Sequence, residues 1–418
     1  MSTLFIARTL IHLDHLRPLI EILARRGEDL VLLSSATEMR LEDQSWLQSL
    51  QKNHGLKFGL IFDAHVSGPF NAIAGKLLSA NPQHAITKKL TAYAVNYIQR
   101  NETSIYSENW LAGLLKKFNT KRIVTVTIKN DRPLFQRLND TARKLGIRSF
   151  AVPHAVDLST PNLNDSRAAA FYTGDPRSAL FNHFDHLLVE NETRRSYLLQ
   201  TDHSPDKIKV LGSPRYSRQW LDMRKTFGQT TTETIPDRGR FKVLYLDSGV
   251  KSPDNSVLVD MLNMIGTSKE MVLAVKLKPT FTKSKSTVPL RHYDPQIIIR
   301  HDRDTYELTN WADVVISPNT SPIVEAINLG KALIYLDFLE EFRPKFVDEN
   351  PPCWIARNPE DVLELLRQVC QNPTIRPEPN FSTSTFVRDQ LHGNESSGNV
   401  LNRYADVILS VESNIDCS

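Results

Sequence analysis

Several short polar stretches of this chain carry side chains that can move a proton or hold an anion. In IHLDH (Ile11–His15), His12, Asp14 and His15 stand together. A carboxylate beside an imidazole can orient it for proton transfer near neutral pH; equally, Asp14 could serve only to cap a helix. VPHAVD (Val152–Asp157) sets His154 directly after a buried apolar run, a second place for a base or for a structural histidine. In LGSPRYSRQW (Leu211–Trp220), Gly212 permits close backbone approach, Ser213 can cap a helix and Arg215 can grip a phosphate or carboxylate, unless the stretch is an ordinary elbow with a solvated arginine. VKLKP (Val275–Pro279) places Lys276 and Lys278 on one side of a strand that Pro279 ends, as solvated lysines or as a phosphate clamp. YLDSG (Tyr245–Gly249) adds Asp247 and Ser248.

The rest of the chain is arranged around the stretch from Trp311 to Phe338. Apolar runs Asp313–Ile316 and Lys331–Phe338 read as strands, joined by the elbow Ser317–Ser321 and a helix. Ser321 is read as its N-cap, Pro322 as its first residue and Gly330 as its stop. The helix start, with the hydroxyls of Ser317, Thr320 and Ser321, would then form an anion site. Glu325, one turn on, could accept hydrogen bonds from ribose hydroxyls. Many such crossovers bind nothing, so the elbow alone leaves both outcomes open.

The elements around these stretches alternate. Strand Thr3–Ala7, polar loop Arg8–His15, helix Leu16–Gly27 and strand Asp29–Ser35 open the chain. Strand Leu56–Phe62 and a largely helical region, Phe70–Phe118, follow, including Thr87–Arg100 and Trp110–Phe118. Next come strand Arg122–Ile128, helix Asp131–Gly146, strand Ser149–Val152, strand Asp185–Val189, helix Glu192–Gln200 and strand Lys207–Leu211. The Thr-rich, aperiodic GQTTTETIPDRGR marks a linker. A second series then runs through strand Phe241–Leu246, helix Asn255–Ile265, strands Met271–Leu277 and Gln296–Arg300, the Trp311–Phe338 unit, helix Pro359–Gln371 and a last helix near Gly398–Ser410. Two βα-rich halves give an α/β class with domains 1–228 and 241–390, linker 229–240 and a C-terminal helix within 391–418. No G-x-G-x-x-G follows the first strand, so a dinucleotide site is not supported.

Composition narrows the classes. With 418 residues, 40% apolar and 23% charged, the chain can bury a sizeable core. A formal charge of +4 is too small at this length to argue for nucleic acid. Cys353, Cys370 and Cys417 have no metal-ligand spacing, and an odd count fits a reducing compartment. MSTLFIARTL is too short and interrupted for a signal peptide, and no run approaches the ~18 apolar residues of a membrane span. The expected location is the cytoplasm, with a peripheral place at the inner face of the membrane left open.

The order of these motifs is recognisable. HLRPLIEILARRG after the first strand, GIRSFAVPHAVD (Gly146–Asp157), V-x-G-S-P-R, the Lys-Pro strand end and ADVVISPNTSPIVEAINLGK resemble the GT-B glycosyltransferases of bacterial surface-polysaccharide assembly. The likeness is to the branch with CDP-glycerol glycerophosphotransferase-like and capsular or lipopolysaccharide Kdo transferase-like enzymes, and HGNESSGNVLNRYADVIL (His392–Leu409) is similar to their C-terminal ending. The resemblance implies two Rossmann-like domains facing across a cleft, the acceptor on the first and the nucleotide donor on the second. It implies no metal and no cofactor beyond that donor, CMP- or CDP-linked among the choices. It also implies a last helix returning to the first domain. Lys278 stands where relatives carry a histidine, so it supplies charge and not a proton. VPHAVD lacks the usual Q-H-G. Ser317, eight residues before Glu325, replaces the first glutamate of the retaining E-x7-E pair, which implies an inverting displacement. The expectation is therefore an inverting transferase moving a sugar or polyol phosphate onto a surface glycan, lipid-linked or not. His154, Asp14 or His15 is its base. Lys276, Lys278, Ser317, Thr320, Ser321, Glu325, Arg215 and Ser248 hold the donor. The alternatives are a nucleotide-sugar 2-epimerase of the same fold, or an inactive GT-B scaffold.

Overall fold

Strand-length runs of Val, Leu, Ile and Phe, apolar on both faces, demand helices above and below a parallel sheet. In the computed structural model the described residues are 1–36, 39–64, 89–90, 97, 105–126, 133–154, 183–200, 203–227, 235, 237, 239–247, 255–277, 294, 296–300, 304–339, 351–375, 377, 383–395 and 398–410. They divide between two compact units, each with its own sheet. Among the sites expected from sequence, Lys278 and Ser248 lie outside the described residues, as do most of linker 229–240 and most of Thr87–Arg100.

The first unit carries β1 (Ser2–Ala7), β2 (Asp29–Ser34), β3 (Lys57–Leu60), β4 (Thr120–Val126), β5 (Arg148–Val152), β6 (His186–Val189) and β7 (Ile208–Val210). Their order is β3-β2-β1-β4-β5-β6-β7, parallel throughout. The chain therefore steps outward from β1 in one direction and then, from β4, in the other. Leu4, Ile6, Val31 and Ile123 pack against Trp110, Leu111 and Leu114 of helix Glu108–Lys117. Each such buried side chain contributes about 1.5–3 kcal/mol.

The second unit carries β8 (Phe241–Leu246), β9 (Met271–Lys276), β10 (Ile298–Arg300), β11 (Val314–Ser317), β12 (Ala332–Leu336) and β13 (Trp354–Ala356), ordered β10-β9-β8-β11-β12-β13. Here the direction reverses between β8 and β11. Val243, Tyr245, Val275 and Ile316 bury one face under helices Asn255–Gly266 and Pro359–Gln371.

Two expectations need correction. The loop placed at Arg8–His15 is helical from Leu10, in one helix running to Arg25. Thr9 caps it, accepting the His12 N–H, and Pro18 sits inside the helix instead of at its first turn. Because Pro18 has no N–H, one ladder bond is missing, and the buried face including Leu13 and Leu16 holds the turn together across that gap. The helix after β11 covers only Ile323–Asn328 and has no side-chain cap; Pro322, not Ser321, precedes it. Strand Trp354–Ala356 and helix Thr305–Trp311 were not expected. The last helix, Val400–Leu409, lies in the first unit beside helix Leu10–Arg25, where Arg26 donates to Asp406 Oδ1 (2.6 Å) and Asn402 Oδ1 (2.9 Å).

Candidate functional site

In an open parallel sheet, ligands meet the carboxyl ends of the strands where the strand order reverses. In the first unit that place is β1 beside β4. Helix Leu10–Arg25 begins three residues after β1, and His12 and His15, three apart, share its inward face. Both are buried, at 5% and 4% exposure, whereas His154 at the end of β5 is exposed. The His154 ring lies 5.3 Å from each of theirs, edge-on to His12 and tilted to His15. The structure thus brings together the two polar stretches that sequence had placed separately.

Arg215 joins them. Its Nη2 lies 3.0 Å from Asp14 Oδ2 and its Nη1 lies 3.3 Å from His15 Nε2. A guanidinium only donates, so His15 Nε2 accepts and the ring carries its proton on Nδ1. His12 Nδ1 accepts the Arg8 N–H at 3.3 Å, which puts the His12 proton on Nε2. Burial, then the neighbouring His154 and Arg8, lowers the His12 pKa to about 3. Burial first, then Arg215, holds His15 well below the usual histidine range. Both are therefore neutral imidazoles with one nitrogen already engaged. Asp14 does not orient an imidazole, as the sequence suggested; its carboxylate pairs with Arg215. Of the three expected bases, His154 alone combines exposure with a position at a strand end.

Main-chain contacts hold the loop that carries Arg215. Arg403 Nη2 donates to the carbonyls of Leu211 (2.7 Å) and His392 (2.5 Å), and Tyr404 Oη donates to that of Gly212 (2.8 Å). Gly212 takes φ +92°. At Gly393, φ +61°, a Cβ would stand 2.8 Å from the Gly212 nitrogen, so glycine is what lets the two backbones meet.

In the second unit the reversal lies between β8 and β11, and the expected donor residues cluster by register. Lys276 pairs with Leu246, and Ile316 with Tyr245, which puts Ser317 in the row of Leu246. Ser317 and Lys276 thus share one face, two strand spacings or about 10 Å apart. Lys276 is 7% exposed, and Ser317 is fully buried with its hydroxyl donating to the Pro318 carbonyl at 2.8 Å. Thr320 and Ser321 are half-buried, and their carbonyls accept the N–H groups of Ile323 (3.1 Å) and Val324 (3.3 Å). These tight turns consume the N–H groups that a longer helix would have pointed at an anion.

Glu325 is 0% exposed and lies 3.5 Å from Arg224 Nη1. Arg224 also pairs with Asp304 and stacks over the Tyr306 ring at 4.3 Å. Sequence reading missed Arg224, because its partners are remote and its own helix, Arg218–Thr226, shows only ordinary polar spacing. Arg403 and Tyr404 had a trace in the C-terminal motif.

No family model matches the chain, and no curated protein matches it in sequence. Solved structures do. A Methanocaldococcus jannaschii UDP-GlcNAc 2-epimerase, in complex with UDP-GlcNAc and UDP, is 15% identical over 97% of this chain and 99% of its own, with TM-score 0.56. An S. aureus MnaA–UDP co-structure is 11% identical over 100% of both chains, with TM-score 0.55. A glycosyltransferase from Rickettsia africae is 13% identical over 99% of both, with TM-score 0.52. At these identities the likeness shows the fold, and the fold is GT-B: two parallel α/β units of seven and six strands.

Proposed function

We propose that the chain is an inverting transferase that moves a sugar, or a polyol phosphate, from a nucleotide-activated donor to a surface-glycan acceptor. In this reading the acceptor hydroxyl gives its proton to His154 as its oxygen attacks the donor centre. The bond to the nucleotide phosphate breaks on the opposite side, which inverts the centre. Lys276 and Lys278, with the Thr320 and Ser321 hydroxyls and Ser248, meet the charge on the departing phosphate. Glu325 accepts from the ribose hydroxyls. Arg215, its fork held by Asp14 and His15, keeps the base side in order. The surface-glycan acceptor rests on the resemblance of the sequence motifs alone.

The observation that carries the reading is the sorting of the imidazoles, two buried and neutral and one exposed at the strand end. A donor panel (CMP-Kdo, CDP-glycerol, CMP-sialate, UDP-sugars) would be scanned for protection against thermal unfolding, since a ligand of the native state stabilises by mass action. At least one member should protect, and His154→Ala should keep that protection while losing transfer. Protection by none would sink the reading.

A second reading, a UDP-sugar 2-epimerase, is favoured by the name of the similar M. jannaschii structure. Against it stands the scarcity of carboxylates beside His154 among the described residues, since Asp14 is already paired with Arg215. Formation of a 2-epimer from a UDP-sugar without any acceptor would establish it over transfer.

A further inference from the structure

Arg224 does more in the second unit than a surface cation would. Its side chain is 12% exposed, and it meets two carboxylates and an aromatic face at once: Asp304, Glu325 and Tyr306. Asp304 is itself fixed, because it caps helix Thr305–Trp311 by accepting the Tyr306 N–H at 2.7 Å. The guanidinium therefore sits between a rigid anchor and the buried carboxylate of Glu325. A planar fork suits that position, since it can hold two carboxylates in set directions while its flat face covers a ring. A lysine offers one point of charge and could not do both.

We propose that Arg224 is a positioning residue for nucleoside recognition, fixing the Glu325 carboxylate in the orientation that accepts hydrogen bonds from the ribose hydroxyls of a bound nucleotide. The inference rests on the reading that Glu325 meets the ribose. It goes beyond that reading by assigning the carboxylate's orientation to a residue 101 positions earlier in the chain. Losing the guanidinium removes the charge that faces Glu325 Oε1 at 3.5 Å, and with it the direction in which the carboxylate meets a hydroxyl donor.

The test compares dissociation constants of UDP and CDP with those of their 2′,3′-dideoxy forms, for the wild type and for Glu325→Ala, Arg224→Gln and Arg224→Lys. The wild type should favour the better ribonucleotide over its dideoxy form by about tenfold or more, and Glu325→Ala should bring that ratio near one. Arg224→Gln should do the same while binding the dideoxy form as the wild type does. Arg224→Lys should restore part of the ratio, and it keeps the test open should the glutamine variant fail to fold. A merely structural arginine would weaken both ligands alike and leave the ratio intact; that result in either Arg224 variant overturns the inference. A wild type that binds these nucleotides without preferring the ribose form overturns the role of Glu325 instead, and one that binds neither overturns the donor reading itself.

Discussion

His154 and its two neighbours are the same residue type within 5.3 Å, and their surroundings assign them different work. Burial and cationic or backbone N–H neighbours keep His12 and His15 neutral and tie up one nitrogen of each. His154→Ala should therefore lower kcat by about 10²–10⁴-fold, the usual share of general-base catalysis, with nucleotide affinity unchanged. Asp14→Asn breaks a pair whose carboxylate is 55% exposed, an interaction worth about 0–1 kcal/mol. Steady-state transfer should fall far less for Asp14→Asn than for His154→Ala. Equal losses would move the base from His154 to the Asp14–Arg215 pair. His15→Asn keeps an acceptor for Arg215 but removes the ring, and it should likewise fall short of the His154 effect.

At the scale of elements, the last helix and the segment before it act as a brace for the loop after β7. The brace is made of main-chain carbonyls, those of Leu211, Gly212 and His392, held by Arg403 and Tyr404. Gly393→Ala puts a methyl group 2.8 Å from the Gly212 nitrogen and 3.0 Å from the Leu211 carbonyl carbon, at a φ of +61°. Overpacking and left-handed strain together should cost about 2–4 kcal/mol in denaturant unfolding. Tyr404→Phe, losing one buried hydrogen bond, should cost about 1 kcal/mol. A neutral Gly393→Ala would mean that the two backbones can part without consequence. Neither effect could be read from sequence, because a close approach of two chain segments leaves no periodic mark. Elements with strong local punctuation were legible: Pro359–Gln371 matches to the residue, since Asn358 caps it and Pro359 opens it, and β8 matches in full. Helix Leu10–Arg25 was read six residues late because the polar side chains of Arg8–His15 looked like a loop and the Thr9 cap went unnoticed. The helix after β11 was placed one residue early because Ser321-Pro322 imitates a cap that the tight turn there does not use. At the candidate site, strand-end position exposed His154 and Lys276 to a sequence reading. The ion pair of Arg224 with Asp304, 80 residues apart, was out of its reach.

Across the whole molecule, the two units should respond differently to acid. His12, His15, His186 and His392 all have lowered pKa values, with burial the largest cause in each, and all four belong to the first unit. Among the described residues the second unit contains no histidine. A group with a depressed folded pKa stays neutral in the native state while the unfolded chain takes up its proton. The unfolded state then binds more protons, so stability is full above the unfolded value near 6.5 and falls as pH drops toward the folded one, about 3 for His12. Between pH 7.5 and 5.5, a histidine held as low as His12 costs about 1.4 kcal/mol, and His15, His186 and His392 add to that loss in the same direction. Glu21 and Asp63 have raised carboxyl values through burial and work in the opposite sense: as pH falls, stability is gained from their raised native values down to the unfolded values of 4.5 and 3.8. Scanning calorimetry at pH 7.5 and 5.5 should therefore show one transition moving down by at least about 3–6 °C while another stays nearly fixed. His12→Asn should flatten the pH dependence of the moving transition even if it lowers its midpoint at pH 7.5. Two transitions that shift together, or a variant with an unchanged slope, would mean that these imidazoles do not stay neutral in the native state, and the basis for choosing His154 as the base would go with them.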